Sequence, residues 1–216
     1  MTRTSAICVP LLQSQTNESH HLFEEVRVEE NIGGNAPKKI KSLAAEVFWH
    51  FVDAKGSSYG VETGRKLRFT EINISGDHQS FSTEARDTQL IENHKGRDDL
   101  TVETVFEVVV DRDMCNIHGT LHGSCAAYFV DPCSSSSLVT LGLLLGIDGT
   151  GVSQSMNLIW HRPIYMGTKI NIRSTSVFLT GRIRTARCEI WAGNSLCISA
   201  VHSTINPTAG RSKAKL

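Results

Sequence analysis

Asn116-Ile117-His118-Gly119-Thr120-Leu121-His122-Gly123-Ser124 is a small and polar stretch that leads directly into a long apolar segment ending at Leu145. A tight glycine turn followed by apolar residues predicts a loop that feeds the N-terminus of a buried helix. The first N–H groups of a helix lack partners within it and carry a positive partial charge, so they can hold an oxygen that becomes anionic during a reaction. A histidine precedes this helix start and the carboxylate of Asp131 follows inside the helix. The pattern therefore suits acyl chemistry, or an ordinary capped helix.

Strand-like runs flank this segment on both sides. Upstream, Leu100 to Val110 places alternate apolar side chains on one face and Glu103 and Glu107 on the other. Downstream, turn residues separate four further runs, which are Val152 to His161, Lys169 to Leu179, Arg184 to Ala192 and Leu196 to Ile205. The short connections between consecutive runs predict a four-strand antiparallel meander.

The region before these strands predicts one more helix and one more strand. Apolar residues of Lys38 to Lys55 recur at helical spacing, and Leu67 to Ile74 is typical of a short strand. A central apolar helix of about 20 residues is roughly 30 Å long and needs a curved sheet to cover it. The expected fold is therefore α+β, with an antiparallel sheet wrapped around one long central helix, which is the hotdog fold.

The remaining segments are polar. Residues 1–37 predict a flexible N-terminal arm, residues 38–207 the folded domain, residues 76–99 an exposed polar insertion, and residues 208–216 a C-terminal tail. The last three residues, Ala214-Lys215-Leu216, match the pattern of a C-terminal peroxisomal address. The peroxisome is therefore the expected location, with the cytoplasm as the alternative.

The composition excludes some classes of partner. The chain of 216 residues has 22 basic and 22 acidic residues, so its charge gives no reason to expect a nucleic-acid partner. Its six cysteines form no C-x-x-C pair, which favours free thiols over zinc ligands or disulfides. Pro132 and four serines interrupt the longest apolar run, so no membrane span is expected.

Several short motifs occur together in the second half of the chain. They are Asn116-x3-Thr120-Leu121-His122-Gly123, Asp131 eight residues past that glycine, Gly151-Val152-Ser153 and Met156-Asn157. Together they resemble the hotdog acyl-CoA thioesterases of the phenylacetyl-CoA thioesterase type, a group that includes the acyl-CoA thioesterase 13 relatives. The resemblance covers about residues 100–207, and Met114-Cys115-Asn116 is similar to fungal members in particular.

The resemblance implies a role for each matching residue. The Gly123 N–H would polarise the thioester carbonyl, His122 would shape the turn and orient the thioester, and Asn116 would hold the attacking water or the carbonyl. Asp131 would act as general base or nucleophile, and Ser153 would position the water beside it. Family members of this type are dimers, often dimers of dimers, with active sites shared between subunits. No cofactor or metal is implied.

Spacing along the helix independently supports a shared site. Asp131 lies eight residues past Gly123, which is about 12 Å along a helix axis. A general base has to come within about 3 Å of the atom it serves, or act through one water. We therefore expect a homodimer or homotetramer in which Asp131 of one chain serves the Gly123 amide of another.

Two residues depart from the family pattern. Ser124 stands where the family usually has a second glycine, and Pro132 follows Asp131 directly. A proline inside a helix removes a hydrogen bond and costs about 3 kcal/mol. The helix could therefore break, with Asp131 capping a second segment rather than acting in catalysis.

Other residues also have ordinary structural interpretations. His122 could be a loop histidine, Asn116 a turn residue, and Ser153 part of a polar strand face with Ser155 and Asn157. The run of serines from 134 to 137 lacks a nucleophile elbow and predicts helix surface or small-residue packing.

Arginines around the turn at Gly181 are candidate substrate ligands. Arg182 and Arg184, with Arg187 nearby, could bind the phosphates of coenzyme A, and an exposed charged hairpin is the alternative. The function expected from all these features is hydrolysis of an acyl-CoA to acid and thiol. The alternatives are a hotdog thioesterase acting on carrier-protein-bound acyl or polyketide chains, and a non-catalytic hotdog dimer that binds acyl-CoA.

Overall fold

A computed structural model of the protein describes residues 31–53, 56–76 and 100–207. Most of the predicted N-terminal arm, nearly all of the predicted insertion and the whole predicted tail, including Ala214-Lys215-Leu216, lie outside the described residues. The predicted domain boundaries and the predicted peroxisomal address therefore stay predictions.

The described residues form three α-helices, a short 3-10 helix and six strands. The helices are α1 (Lys38–Asp53), α2 (Val61–Gly64) and α3 (Gly123–Leu145), with the 3-10 turn at Arg112–Met114. The strands are β1 (Arg68–Ser75), β2 (Thr101–Val109), β3 (Val152–Trp160), β4 (Lys169–Thr180), β5 (Ile183–Ala192) and β6 (Ser195–Ile205). Each predicted strand is confirmed to within about two residues, whereas α2 and the 3-10 turn were not predicted.

The strands form one antiparallel sheet in the order β1-β2-β4-β5-β6-β3. The predicted four-strand meander is therefore wrong in one respect. β4, β5 and β6 do form a meander, but β3 pairs with β6 at the far edge rather than with β4. The reason is that residues 161–168 carry the chain across the end of the sheet, so that β4 begins beside β2. Sequence periodicity identifies strands but not their partners.

The sheet buries α3 along most of the length of the helix. α3 packs mainly against β2, β4 and β5, and thirteen of its 23 residues are buried. By length and composition alone this helix could cross a membrane, but 67% of its most apolar window is buried inside the fold. The helix is thus the core of an α+β domain, and the predicted hotdog fold is confirmed.

The helix continues through Pro132 without a break. Buried serines after Pro132 form hydrogen bonds to the preceding turn of the helix. The Ser136 hydroxyl donates to the Cys133 carbonyl (2.6 Å) and the Ser137 hydroxyl to the Ser134 carbonyl (2.8 Å). Ser134, Ser136 and Ser137 are buried, so small-residue packing rather than helix surface explains them. The alternative in which Asp131 caps a second helical segment is therefore not what the structure shows.

An aromatic cluster attaches α1 to the sheet. Phe106 of β2 is fully buried, and its ring centroid lies 4.2 Å from that of Phe69 in β1 and 4.5 Å from that of Phe48 in α1. Ile40, Ala44, Phe48 and Val52 of the predicted apolar face of α1 are buried, whereas Phe51 is 59% exposed. The cluster links the N-terminal helix to the first two strands.

Replacing Phe106 by alanine tests this cluster. We expect Phe106→Ala to lower the free energy of unfolding by about 3–5 kcal/mol, because it removes a buried ring and leaves a cavity. Val177→Ala is the control, since Val177 is 57% exposed and should shift stability by no more than about 0.5 kcal/mol. Urea denaturation measures both, and equal stabilities for the two variants would contradict the packing described.

Candidate active site

The first turn of α3 is capped by a histidine side chain. His122 is the N-cap residue, and its Nδ1 accepts a hydrogen bond from the Ser124 N–H (3.1 Å) and lies 2.7 Å from the Ser124 hydroxyl. Because Nδ1 accepts from a backbone N–H, the proton of the neutral ring resides on Nε2. Within the described part of the chain, no group accepts a hydrogen bond from the Gly123 N–H. The Gly123 N–H at the helix start is therefore a free, positively polarised donor.

The loop before α3 is held by Asn116. Its Oδ1 accepts from the His118 N–H (2.9 Å) and from the Thr120 N–H (3.3 Å), while its Nδ2 donates to the Thr120 hydroxyl (2.9 Å). These bonds make Asn116 a turn residue, as its structural interpretation predicts. One N–H of the amide has no bond to any described residue, so Asn116 also keeps a donor for a ligand.

A cavity lies at this helix start, between the Asn116 loop and the connection from β3 to β4. We call it the Gly123 cavity; its volume is 540 Å³. It is lined by Asn116, Thr120, Leu121, Gly123 and residues 160–164, with Ile198 below. The ring of Trp160 stands against the helix start, since a Cβ placed on Gly123 would lie 3.7 Å from its Cζ2. The free amide and Asn116 thus share one concave and largely apolar site.

The connection that closes this cavity is fixed by main-chain hydrogen bonds. The Leu121 N–H donates to the Ile164 carbonyl (2.7 Å) and the Met166 N–H donates to the Gly119 carbonyl (3.0 Å). These bonds tie residues 161–168 to the loop before α3. The crossing of β3 to the far edge of the sheet is thus what brings Trp160 beside Gly123.

The His122 ring faces a different cavity. That space, of 360 Å³, is lined by His122 and Ser124 together with Tyr59, Gly60, Cys115, Cys125 and Tyr128. The structure therefore places Gly123 and Asn116 in one cavity and the His122 side chain in the neighbouring one. Burial raises the pKa of Cys125 there to about 11, so its thiol stays protonated at neutral pH.

Asp131 belongs to a hydrogen-bonded cluster farther along α3. Its side chain is 53% exposed, and its Oδ1 accepts from the Ser153 hydroxyl at 3.2 Å. His202 of β6 lies behind this pair, with Nε2 3.0 Å from the Ser153 hydroxyl oxygen and Nδ1 2.6 Å from the Ser134 hydroxyl oxygen. The structure thus brings two of the predicted residues, Asp131 and Ser153, into direct contact.

The proton positions in this cluster follow from the donor count. Ser153 has one hydroxyl hydrogen, which it donates to Asp131, so its oxygen accepts from the His202 Nε2–H. Nδ1 of His202 then accepts from the Ser134 hydroxyl. Every hydrogen bond in the series Ser134, His202, Ser153 therefore points towards the Asp131 carboxylate.

His202 is fully buried and neutral. Burial lowers its pKa below the usual value, and the nearby Asp131 carboxylate opposes that shift only in part. The sequence analysis did not identify this role of His202. The alternation of β6, which points His202 inward among apolar neighbours, was the one available signal.

A β-bulge aims Ser153 at this cluster. Ser153 pairs with Thr204 and Ser155 with Ser203, so the intervening Gln154 has no partner on β6. Without such an insertion, Ser153 and Ser155 would lie on the same face of the strand. The bulge places Ser153 inward, which separates it from the polar face that its structural interpretation assigns to it.

Asp131 and the Gly123 amide do not share a site within one chain. Because α3 is continuous from Gly123 to Asp131, the eight-residue spacing corresponds to about 12 Å along the helix axis. Asp131 is also absent from the residues that line the Gly123 cavity. The predicted oxyanion donor and the predicted base therefore lie at different heights on one helix and face different surroundings.

Arg182 and Arg184 lie beyond the other end of α3. Arg184 is only 3% exposed, and its guanidinium donates to the main-chain carbonyls of Asp148 and Arg182. Asp148 follows the end of α3, so a helix length of about 33 Å separates this region from Gly123. Arg184 holds the loop after α3, and Arg182 is exposed on the turn. Coenzyme A binding by either residue stays a prediction.

The chemistry available here is that of hydrogen bonds and proton transfer. Among the described residues, no group of three or more His, Cys, Asp or Glu side chains is placed to hold a metal ion. An amide donor can polarise a carbonyl, and an exposed carboxylate that accepts from a hydroxyl can orient a water.

Comparison with known proteins identifies the fold. A scan against models of protein families and a search of curated proteins gave no match. Among solved structures, the thioesterase superfamily member 2 of zebra fish is similar with a TM-score of 0.54 and 18% sequence identity, over 79% of this chain and 99% of that chain. The mouse thioesterase superfamily member 2 has a TM-score of 0.43 and 24% identity, over 48% of this chain and 74% of that chain. A phenylacetic acid degradation protein PaaI from Thermus thermophilus has the same score and identity, over 48% of this chain and 84% of that chain.

The zebra fish and mouse proteins are named as thioesterase superfamily members. The zebra fish protein is covered almost completely, so this chain shares its fold.

Proposed function

We propose that this protein hydrolyses the thioester bond of an acyl-CoA, releasing a free acid and a thiol. The observation that carries the proposal is the exposed Asp131 carboxylate, which accepts a hydrogen bond from a Ser153 hydroxyl turned inward by a strand bulge. Bulges often re-aim side chains beside active sites. The free Gly123 amide in a largely apolar cavity supplies the complementary electrophilic group.

The proposed reaction is a direct attack by water. The Gly123 N–H donates to the thioester oxygen, and the donation strengthens as that oxygen becomes anionic in the tetrahedral intermediate. Asp131 accepts a proton from the attacking water while Ser153 holds that water in place. Collapse of the intermediate breaks the carbon–sulfur bond, and the leaving thiolate takes up a proton. Attack by the Asp131 carboxylate itself, through an anhydride that water then hydrolyses, is the alternative path.

His202 acts in this scheme as a positioning residue. It is neutral and buried, and its Nε2–H fixes the orientation of the Ser153 hydroxyl, whose hydrogen then points at Asp131. A carboxylate that accepts only this one hydroxyl hydrogen bond keeps lone pairs for a water. The cluster thus orients Asp131 without neutralising it.

The proposal requires two copies of the chain. Among the described strands, β3 has a hydrogen-bonded neighbour on one side only, and its inward-facing Trp160 is 52% exposed. Val152 and Ile159 of the same strand are 66% and 54% exposed. A second copy seated along β3 would cover these apolar side chains and could bring its Asp131 to the Gly123 cavity of the first copy. A twofold axis would generate two such sites.

Replacing Asp131 by asparagine tests the base. Asn keeps the oxygen that accepts from Ser153 but cannot take a proton, so we expect kcat to fall roughly 100- to 10,000-fold. The binding of an unreactive acyl-CoA thioether should change little. A thiol-detection assay over a panel of acyl-CoAs measures turnover, and calorimetry measures binding. Glu46→Gln is the control, because Glu46 is exposed on α1 and lines neither cavity. Wild-type protein that binds the thioether yet turns over no thioester would instead support a non-catalytic binding protein.

Replacing Gly123 by proline tests the amide donor alone. Gly123 is the first residue of α3, where proline is well tolerated, and the preceding His122 already has φ −65° and ψ 137°, which suit a following proline. Removing this one N–H should lower kcat by roughly 100- to 1,000-fold. Gly123→Ala retains the N–H and is the matched control, since its Cβ would make only ordinary contacts with Trp160. Similar rates for the two variants would show that the amide plays no part in hydrolysis.

Mixing two inactive variants tests the shared site. A dimer of one Asp131→Asn chain and one Gly123→Pro chain contains one site with both functional groups intact and one site with neither. Random exchange should therefore restore about a quarter of the wild-type activity. Thiol release is measured after unfolding and refolding the two chains together and separately. If the mixture is as inactive as the separate variants while analytical ultracentrifugation shows dimers, the sites are not shared.

A further inference from the structure

One cation lies in the Gly123 cavity itself. Arg162, in the connection between β3 and β4, lines this cavity together with Gly123 and Asn116. Arg182 and Arg184, by contrast, lie beyond the far end of α3. Arg162 is therefore the arginine that shares a cavity with the proposed oxyanion donor.

The charge of Arg162 is not neutralised by its surroundings. Its Nη1 donates to the Leu196 carbonyl at 2.8 Å. Across residues 31–53, 56–76 and 100–207, no carboxylate forms an ion pair with Arg162. By contrast, Arg65, Lys66 and Lys169 are each paired with a carboxylate. A guanidinium has five N–H donors in a planar fork, so most of them stay available to a ligand. The bond to Leu196 holds the guanidinium of Arg162 at the cavity and leaves its other N–H donors for a ligand.

A fork of this kind matches an anionic group with two oxygens, either a carboxylate or a phosphate. The dimensions favour one of the two positions that such a group occupies in an acyl-CoA. A cavity of 540 Å³ is about 10 Å across if it is round, which is a usual size for a small-molecule site. The chain between the sulfur and the nearest phosphate of coenzyme A has roughly as many bonds as four amino-acid residues, about 14 Å when extended. A carboxylate at the end of a short acyl group lies well within the cavity.

We propose that Arg162 binds a carboxylate carried by the acyl group, so that the preferred substrates are thioesters of short dicarboxylic acids. The inference rests on the proposed thioesterase function and specifies its substrate class. Leu121, Ile164 and Ile198 line the same cavity and would contact the methylene groups between the thioester and the carboxylate. Arg162 is then a specificity-determining residue, while Gly123 and Asp131 supply the chemistry.

Matched thioesters test the assignment. Adipoyl-CoA and hexanoyl-CoA have acyl chains of equal length, and only the first carries a terminal carboxylate. We expect kcat/KM to favour adipoyl-CoA, and Arg162→Gln to remove that preference with a roughly ten- to hundred-fold loss for adipoyl-CoA alone. Gln can still donate to the Leu196 carbonyl, so the connection should keep its place. Arg187→Gln is the control, because Arg187 is exposed on β5 and lines neither cavity.

The same acyl groups on N-acetylcysteamine locate the anion. This thiol lacks phosphates, so an effect of Arg162→Gln on its adipoyl thioester supports the acyl carboxylate. An equal loss for both coenzyme A thioesters that disappears with N-acetylcysteamine would assign Arg162 to a phosphate and overturn the proposal. A wild-type protein that does not distinguish the two acyl chains would overturn it as well.

A binding measurement separates this inference from the proposed function. The carboxypentyl and hexyl thioethers of coenzyme A cannot be hydrolysed, and calorimetry gives their affinities for the wild-type protein and for Arg162→Gln. Tighter binding of the carboxypentyl compound that is lost in Arg162→Gln supports the carboxylate site, even if no thioester is turned over. Equal affinities of the two thioethers for the wild-type protein would refute it, even if hydrolysis is observed.

Discussion

A helix that is buried along most of its length can present unpaired backbone donors only at its first turn. In α3 that constraint sets the position of the candidate site, because thirteen residues of the helix are buried and the N–H of Gly123 has no acceptor among the described residues. The His122 side chain satisfies the N–H of Ser124, while Gly123, whose N–H has no acceptor among the described residues, lines the cavity. The helix cap and the proposed oxyanion site therefore share one helix start and are not competing interpretations of it.

The interior of the protein also holds polar side chains, among them the imidazole of His202. A buried hydroxyl or imidazole is costly unless it is hydrogen-bonded. His202 meets this requirement through Ser134 on one side and Ser153 on the other, and the end of that series is the exposed carboxylate of Asp131. The requirement to satisfy a buried histidine thus orients a group that solvent and substrate can reach.

Local patterns in the sequence predicted the elements of this fold, and long-range pairing lay beyond them. The alternation in Leu100 to Val110 and the helical spacing after Lys38 gave the correct strand and helix, since both depend on near neighbours in the chain. The pairing of β3 with β6 sets the place of β3 at the sheet edge and the bulge at Gln154. It also brings Ser153 to His202, which lies 49 residues away in the chain. No periodicity encodes contacts at that separation. The motif spacing led to Asp131 and Ser153, which the structure brings together. The alternation of β5 places Arg184 on the face of Ala186 and Cys188, so its burial was readable from the strand pattern although the prediction treated it as a substrate ligand.

In the connection from β3 to β4, main-chain groups hold the segment in place, while side chains line the cavity. Main-chain groups hold it against the loop before α3, through the bonds of Leu121 to Ile164 and of Met166 to Gly119. Such bonds are indifferent to side-chain identity, so the outward-pointing residues of this segment can vary while the helix amide keeps its position. Substitutions at a few of these positions would then change which acyl groups the proposed site accepts without moving the helix amide.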